Sequence, residues 1–185
     1  MTREPNPPQP DRTRFEDFYE EHHNIWRHYG YLHAGDLKGG EEIADEIAAR
    51  LMHSWAQALE QENLAKYAWR LVNDVLFQWL EENGETSKLV DTAAFTRAAR
   101  TRRSRHEQFE ALDESLGLYR EVVMLPPRQF DVTVLHSLMG YKLVEVAEIL
   151  GITAATARSS FRHACNAIEP VAIKRRLLQV TKEKA

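Results

Sequence analysis

The stretch that most constrains this 185-residue chain runs from Leu125 to Ile168, where a single glycine separates two apolar-periodic segments. Val144 to Leu150 reads as a short helix, with Val146, Ala147 and Leu150 apolar at helical spacing. Gly151 follows and can take the left-handed conformation that ends a helix. Ile152 gives the turn an apolar anchor, and Thr153 suits the N-cap of the next helix. That helix, Ala154 to Glu169, puts Ala157, Phe161, Ala164 and Ile168 on one apolar stripe. Ser159, Arg162, His163 and Asn166 fall on the opposite side, with Arg158 on its flank. The layout is that of a helix-turn-helix, and such a face suits base edges and phosphates in a major groove. The same spacing also fits an ordinary two-helix corner with a solvated face.

The remainder reads as helix and connector, with no strand pattern, internal repeat, phosphate-binding glycine loop or catalytic triad. The expected fold is all-α: two small helical domains joined by a linker, the second containing the helix-turn-helix. A Pro-rich tail is expected over residues 1–13, a first domain over 14–82, a linker over 83–105, a second domain over 106–169 and a tail over 170–185. The linker carries Arg97, Arg100, Arg102, Arg103 and Arg105, and the last tail Lys174, Arg175 and Arg176. Both runs fit solvated charge or loose contact with phosphates.

Charge separates the halves. Residues 1–85 hold 8 Lys and Arg against 17 Asp and Glu, whereas residues 86–185 hold 16 against 11. The net charge of −4 argues against a plain nucleic-acid binder, yet the basic second half suits DNA and the acidic first half a basic protein surface. Cys165 is the only cysteine, which excludes an intrachain disulfide and is consistent with a cytoplasmic protein. The polar, Pro-rich start is not a signal peptide, and no apolar run is long enough to span a membrane.

Within the first domain, helices are expected over Arg14–Ala34, Glu41–Leu59 and Asn63–Glu82, with a loop over Gly35–Gly40. Phe15, Phe18, Tyr19, His22, Ile25, Trp26 and Tyr29 mark the inner side of the first. Its histidines, His22, His23, His28 and His33, have poor spacing for ligands on one helical face, so no metal is expected; His22 reads as semi-buried and the others as exposed. In the second helix Ala44, Ile47, Ala48, Leu51, Trp55 and Leu59 form the core stripe. Glu41 and Glu42, near its start, fit the helix dipole. In the third, Leu64, Tyr67, Ala68, Leu71, Val72, Val75, Leu76 and Trp79 pack inward. The other side collects Lys66, Trp69, Arg70, Asn73 and Phe77, a basic stripe with two aromatics that suits single-stranded DNA. Packing of Trp69 and Phe77 against another element is the competing reading.

In the second domain His106–Met124 should be helical, with Phe109, Leu112, Leu116, Tyr119 and Val123 on one side. Pro126-Pro127 breaks it and opens the next helix. Val132, Leu135, Leu138 and Met139 complete the core beneath the helix-turn-helix.

Leu125-Pro126-Pro127-Arg128-Gln129, Glu145-Val146-Ala147-Glu148-Ile149-Leu150-Gly151-Ile152-Thr153 and Thr156-Ala157-Arg158-Ser159-Ser160-Phe161-Arg162-His163-Ala164 together resemble region 4 of the sigma-70 family. The closest likeness is to its extracytoplasmic-function (group 4) members. Upstream, the run FEDFYEEHH resembles their region 2.1, and Glu41-Glu42-Ile43-Ala44-Asp45-Glu46 the acidic opening of region 2.2. Asn73 matches the asparagine of the common RIARN motif. The chain departs from the family at Ser160, where a basic residue is usual, and at Cys165 and Asn166, where Arg is frequent. Gln78, Glu81 and Glu82 replace basic residues near the end of the third helix.

The resemblance implies a sigma factor that binds core RNA polymerase and directs initiation at promoters by reading −10 and −35 elements, with no covalent catalysis and no cofactor. It assigns −35 contacts to Thr156, Arg158, Ser159, Arg162, His163 and Asn166. The −10 contacts would fall to Lys66, Trp69, Arg70, Asn73 and Phe77. Glu42, Asp45, Glu46 and Arg50 would dock on the β′ clamp helices, with the β flap and promoter DNA as further partners and an anti-sigma factor as another partner class. The altered end of the third helix keeps a second reading open, a helix-turn-helix regulator that binds duplex DNA without supporting initiation.

Overall fold

The computed structural model describes residues 10–93 and 116–182, with side chains over 14–93 and 116–168. The tail expected before residue 10, the linker arginines from Arg97 to Arg105 and the helix start expected at His106 with Phe109 and Leu112 lie outside the described residues, as do the side chains of Lys174, Arg175 and Arg176. The described residues are helical without strands and separate into two units, divided between Thr86 and Ser87.

The first unit contains α1 (Pro10–Ala34), α2 (Leu37–His53), α3 (Trp55–Leu59) and α4 (Leu64–Glu82). Helix α1 starts earlier than the tail expected over 1–13 allows. Pro10 at its first position loses nothing there, because a first-turn N–H has no intrahelical acceptor. The connection to α2 is also shorter than the expected Gly35–Gly40 loop. Gly35 takes a φ of 85°, and Asp36 caps α2 by accepting from the Gly39 N–H at 2.8 Å. Gly39 and Gly40 are therefore helical, against their weak propensity. Packing explains it: a Cβ on Gly40 would lie 2.9 Å from the Arg27 carbonyl oxygen, and one on Gly39 2.5 Å from the Ala34 Cβ. Two glycines let α2 close against α1.

The early start moves Glu41 and Glu42 out of the first turn, so the helix dipole does not account for them. Glu41 instead pairs with Arg27 at 3.1 Å. The expected single helix to Leu59 is interrupted at Ser54, whose hydroxyl donates to the Arg50 carbonyl at 2.9 Å. Trp55 then turns inward, edge-on to Phe15 at 5.2 Å. Trp26, Tyr29, Ile43, Ile47, Leu51, Val72, Val75 and Leu76 make the centre of this core. Asn63 caps α4 through the Lys66 N–H at 2.9 Å, and Gly84, at a φ of 61°, follows its C-terminal end. His22 is buried and donates from Nδ1 to the Phe18 carbonyl at 2.9 Å, and burial pulls its pKa down. His33, expected to be exposed, is buried beside Tyr29, and desolvation lowers it to about 4.

The second unit contains short helices over residues 89–93 (α5) and 116–123 (α6), then α7 (Pro127–Thr133), a π-helical turn (Val134–Leu138), α8 (Leu143–Leu150) and α9 (Ala154–Lys182). Residues expected as linker are thus helical at α5, with Leu89 and Ala93 buried. In α6 the buried positions are Tyr119 and Val122, and Val123 is exposed rather than inward. The π turn shifts the chain by one place, so Val134 joins Val132 and Leu135 in the core, whereas Leu138 and Met139 are only half-buried. Helix α9 continues through Pro170 to Lys182, where a tail was expected. Proline removes one N–H bond, to the Asn166 carbonyl, a local loss that a long helix tolerates.

Candidate nucleic-acid interface

The turn between α8 and α9 is built as its sequence requires. Gly151 has a φ of 61°, and the Ile152 N–H reaches the Ala147 carbonyl at 2.9 Å while its own N–H reaches that of Glu148 at 3.2 Å. This is the Schellman arrangement, which satisfies the last carbonyls of α8. At the other end of α8, the Glu145 carboxylate accepts from the Lys142 N–H at 2.6 Å. Burial, with Glu145 nearby, raises the Tyr141 pKa. Thr153 caps α9, accepting from the Thr156 N–H at 3.1 Å. Thr156 also shares a hydroxyl contact of 2.9 Å with Thr153, so this candidate contact helps start the helix.

Ala157 and Ala164 are fully buried, and small side chains there bring the α9 backbone close to the core. Ser160 is buried with them, at 8 % exposure. The departure from the family at Ser160 therefore takes no charge from the outward face: Ser160 stands three residues after Ala157 and four before Ala164, on the inner stripe. Arg158, Arg162, His163 and Asn166 are exposed and Ser159 half-exposed. Among the described residues, none of those four exposed side chains has a hydrogen-bonding or ionic partner. Two guanidinium groups, an imidazole and an amide thus project together, able to donate to phosphates and to base edges.

On α4 the expected stripe divides. Lys66, Arg70 and Phe77 are outward, Phe77 at 68 % exposure. Trp69 is not on this surface: it is 6 % exposed and sits edge-on to Tyr29 at 5.0 Å. Its place three residues before Val72 and seven before Leu76 puts it on the core side. A base has no access to its ring in this arrangement. Asn73 is half-buried and donates to the Trp69 carbonyl at 3.3 Å. Trp79, expected inward, is half-buried with its Nε1–H donating to Glu42 at 3.2 Å.

The four acidic and basic candidates on α2 also differ. Glu42 is held by Trp79 and by Lys38 at 3.2 Å. Glu46 pairs with Arg50, whose other arm donates to Gln78 at 2.7 Å and so ties α2 to α4. Asp45 stays the most available, its side chain 74 % exposed and 3.8 Å from His23. Sequence reasoning missed His136, which meets Phe161 of α9 edge-on at 4.6 Å. A π turn has no sequence signature that would have found it.

Among the described residues there is no cluster that could hold a metal ion, and no helix is long and apolar enough to cross a membrane. Residues 115–168 match the family model described as Sigma-70, region 4. The match covers the helix-turn-helix and the segment leading into it, and does not reach the first unit. No curated protein matches the chain.

Proposed function

We propose that the chain is a cytoplasmic sigma factor of the extracytoplasmic-function type that binds core RNA polymerase and directs promoter-specific initiation. The carrying observation is the α9 face. Arg158, Arg162, His163 and Asn166 stand exposed together on the second helix of a helix-turn-helix whose sequence matches sigma-70 region 4. In this reading Arg162 and Asn166 contact base edges of a −35 element, while Arg158, Ser159 and His163 meet the flanking backbone. Thr156 aids by fixing the start of α9. Specificity comes from recognition alone, with no covalent step and no cofactor.

The first unit takes the polymerase-binding and −10 roles. Asp45 offers the most available carboxylate for the β′ clamp helices, with Glu42, Glu46 and Arg50 shaping the surface around it. Lys66, Arg70 and Phe77 supply cations and one ring for a melted strand. The β flap is the expected partner of the second unit, and an anti-sigma factor a further partner of the whole. Reconstitution with core polymerase and mapping of transcript starts on genomic DNA tests this. Defined starts sharing an upstream motif support it; duplex binding without polymerase association overturns it.

The second reading, a duplex-binding regulator without initiation activity, is favoured by one observation. With Trp69 turned into the core and Glu81 and Glu82 exposed beyond Phe77, α4 has one outward ring and an acidic end.

A further inference from the structure

The apolar side of α9 is made mostly of small groups. Ala157, Ser160 and Ala164 let the helix lie close to the core but do little to resist its rotation about its own axis. Phe161 is a large knob on that side, next in sequence to Arg162 and one turn from Arg158. Its ring is met edge-on, at 86° and 4.6 Å, by the ring of His136. His136 is itself held: its Nδ1–H donates to the Tyr141 carbonyl at 2.7 Å, since a carbonyl oxygen can only accept. That bond spans the loop into α8. The π-helical turn over Val134–Leu138 places the ring, closed by the Met139 N–H on the Val134 carbonyl at 3.1 Å. Such turns are rare and occur frequently at functional sites.

We propose that His136 is a positioning residue for duplex recognition: clamped to the Tyr141 carbonyl, its ring keys Phe161 and so fixes the azimuth at which α9 presents Arg162 and Asn166. The inference rests on the duplex-reading role proposed above. A rotation that leaves the helix packed would keep phosphate contacts while misaligning bidentate base contacts, so sequence discrimination is lost before general affinity.

The test uses the full chain and duplexes of about two helical turns, selected by the wild-type protein from a randomised pool, with a scrambled duplex as reference. His136→Asn keeps a donor for the Tyr141 carbonyl but removes the ring. Phe161→Leu keeps an apolar side chain but removes the partner ring. Each is expected to lower the ratio of selected to scrambled affinity by about tenfold, with the salt dependence of scrambled binding unchanged. The double variant should lose no more than either single one, because both act through one contact. Should either single variant not fold by circular dichroism, the ratio is read from the other. Wild-type discrimination in a folded variant, or a multiplicative loss in the double one, overturns the positioning role and leaves the duplex-reading proposal standing. Failure of the wild-type chain to select any sequence overturns both.

Discussion

Helices α9 and α4 both carry candidate DNA contacts, but they arrange them differently. On α9 the polar candidates project from a backbone pressed close to its core by alanines, and only Thr156 is drawn into a cap. On α4 the stripe is shared between solvent and core: Lys66, Arg70 and Phe77 face out, Trp69 packs on Tyr29, and Asn73 bonds back to its own helix. The difference shows where a surface ends and a scaffold begins. A side chain available to a ligand can be removed at little cost to the fold, whereas one that packs between helices cannot.

That distinction gives the largest expected effect. Trp69→Ala should destabilise the first unit by about 3–5 kcal/mol through the cavity it leaves, read as a lowered denaturation midpoint. A variant of wild-type stability would return Trp69 to the surface. Next in size is an acid effect. His33 is held at about 4 by burial, against 6.5 when unfolded, so between those values the unfolded chain binds more protons. Stability is complete above about 6.5 and falls as the pH drops towards 4, by about 3 kcal/mol in total, with His22 acting in the same direction. His33→Phe should flatten that loss in pH-dependent unfolding. An unchanged acid slope would remove His33 as its cause.

Phe77→Ala should weaken binding to a single-stranded oligonucleotide by about 1–3 kcal/mol and shift stability by no more than about 0.5 kcal/mol. The reverse pattern would make Phe77 structural and erase the contrast with Trp69. The smallest effect belongs to the cap. Thr153→Ala should cost about 1 kcal/mol of stability in the second unit, measured by chemical unfolding, and no change there would mean that α9 starts without it.

How much of this was legible in the sequence depends on the range of the signal. Gly151 and Thr153 act within a few residues, and the turn they specify forms as read. Gly39 and Gly40 read as loop because their propensity is local, whereas their reason for being helical is the approach of α1, many residues away. Trp69 and Ser160 stand on inner stripes that periodicity alone would have given. Other signals argued otherwise: an aromatic beside cations suggested stacking at Trp69, and at Ser160 the resemblance pointed to a position where a basic residue is usual. The π turn at His136 depends on tertiary support that no short motif encodes, and α9 runs on through Pro170, which reads locally as a stop.

The most direct test compares binding of the wild-type chain and Arg162→Ala to the selected duplex and its single-base variants. The expected result is a loss of about 1–3 kcal/mol with relaxed preference at one position and an unchanged unfolding midpoint. Equal affinity with an identical base preference would contradict the assignment of the α9 face to sequence reading.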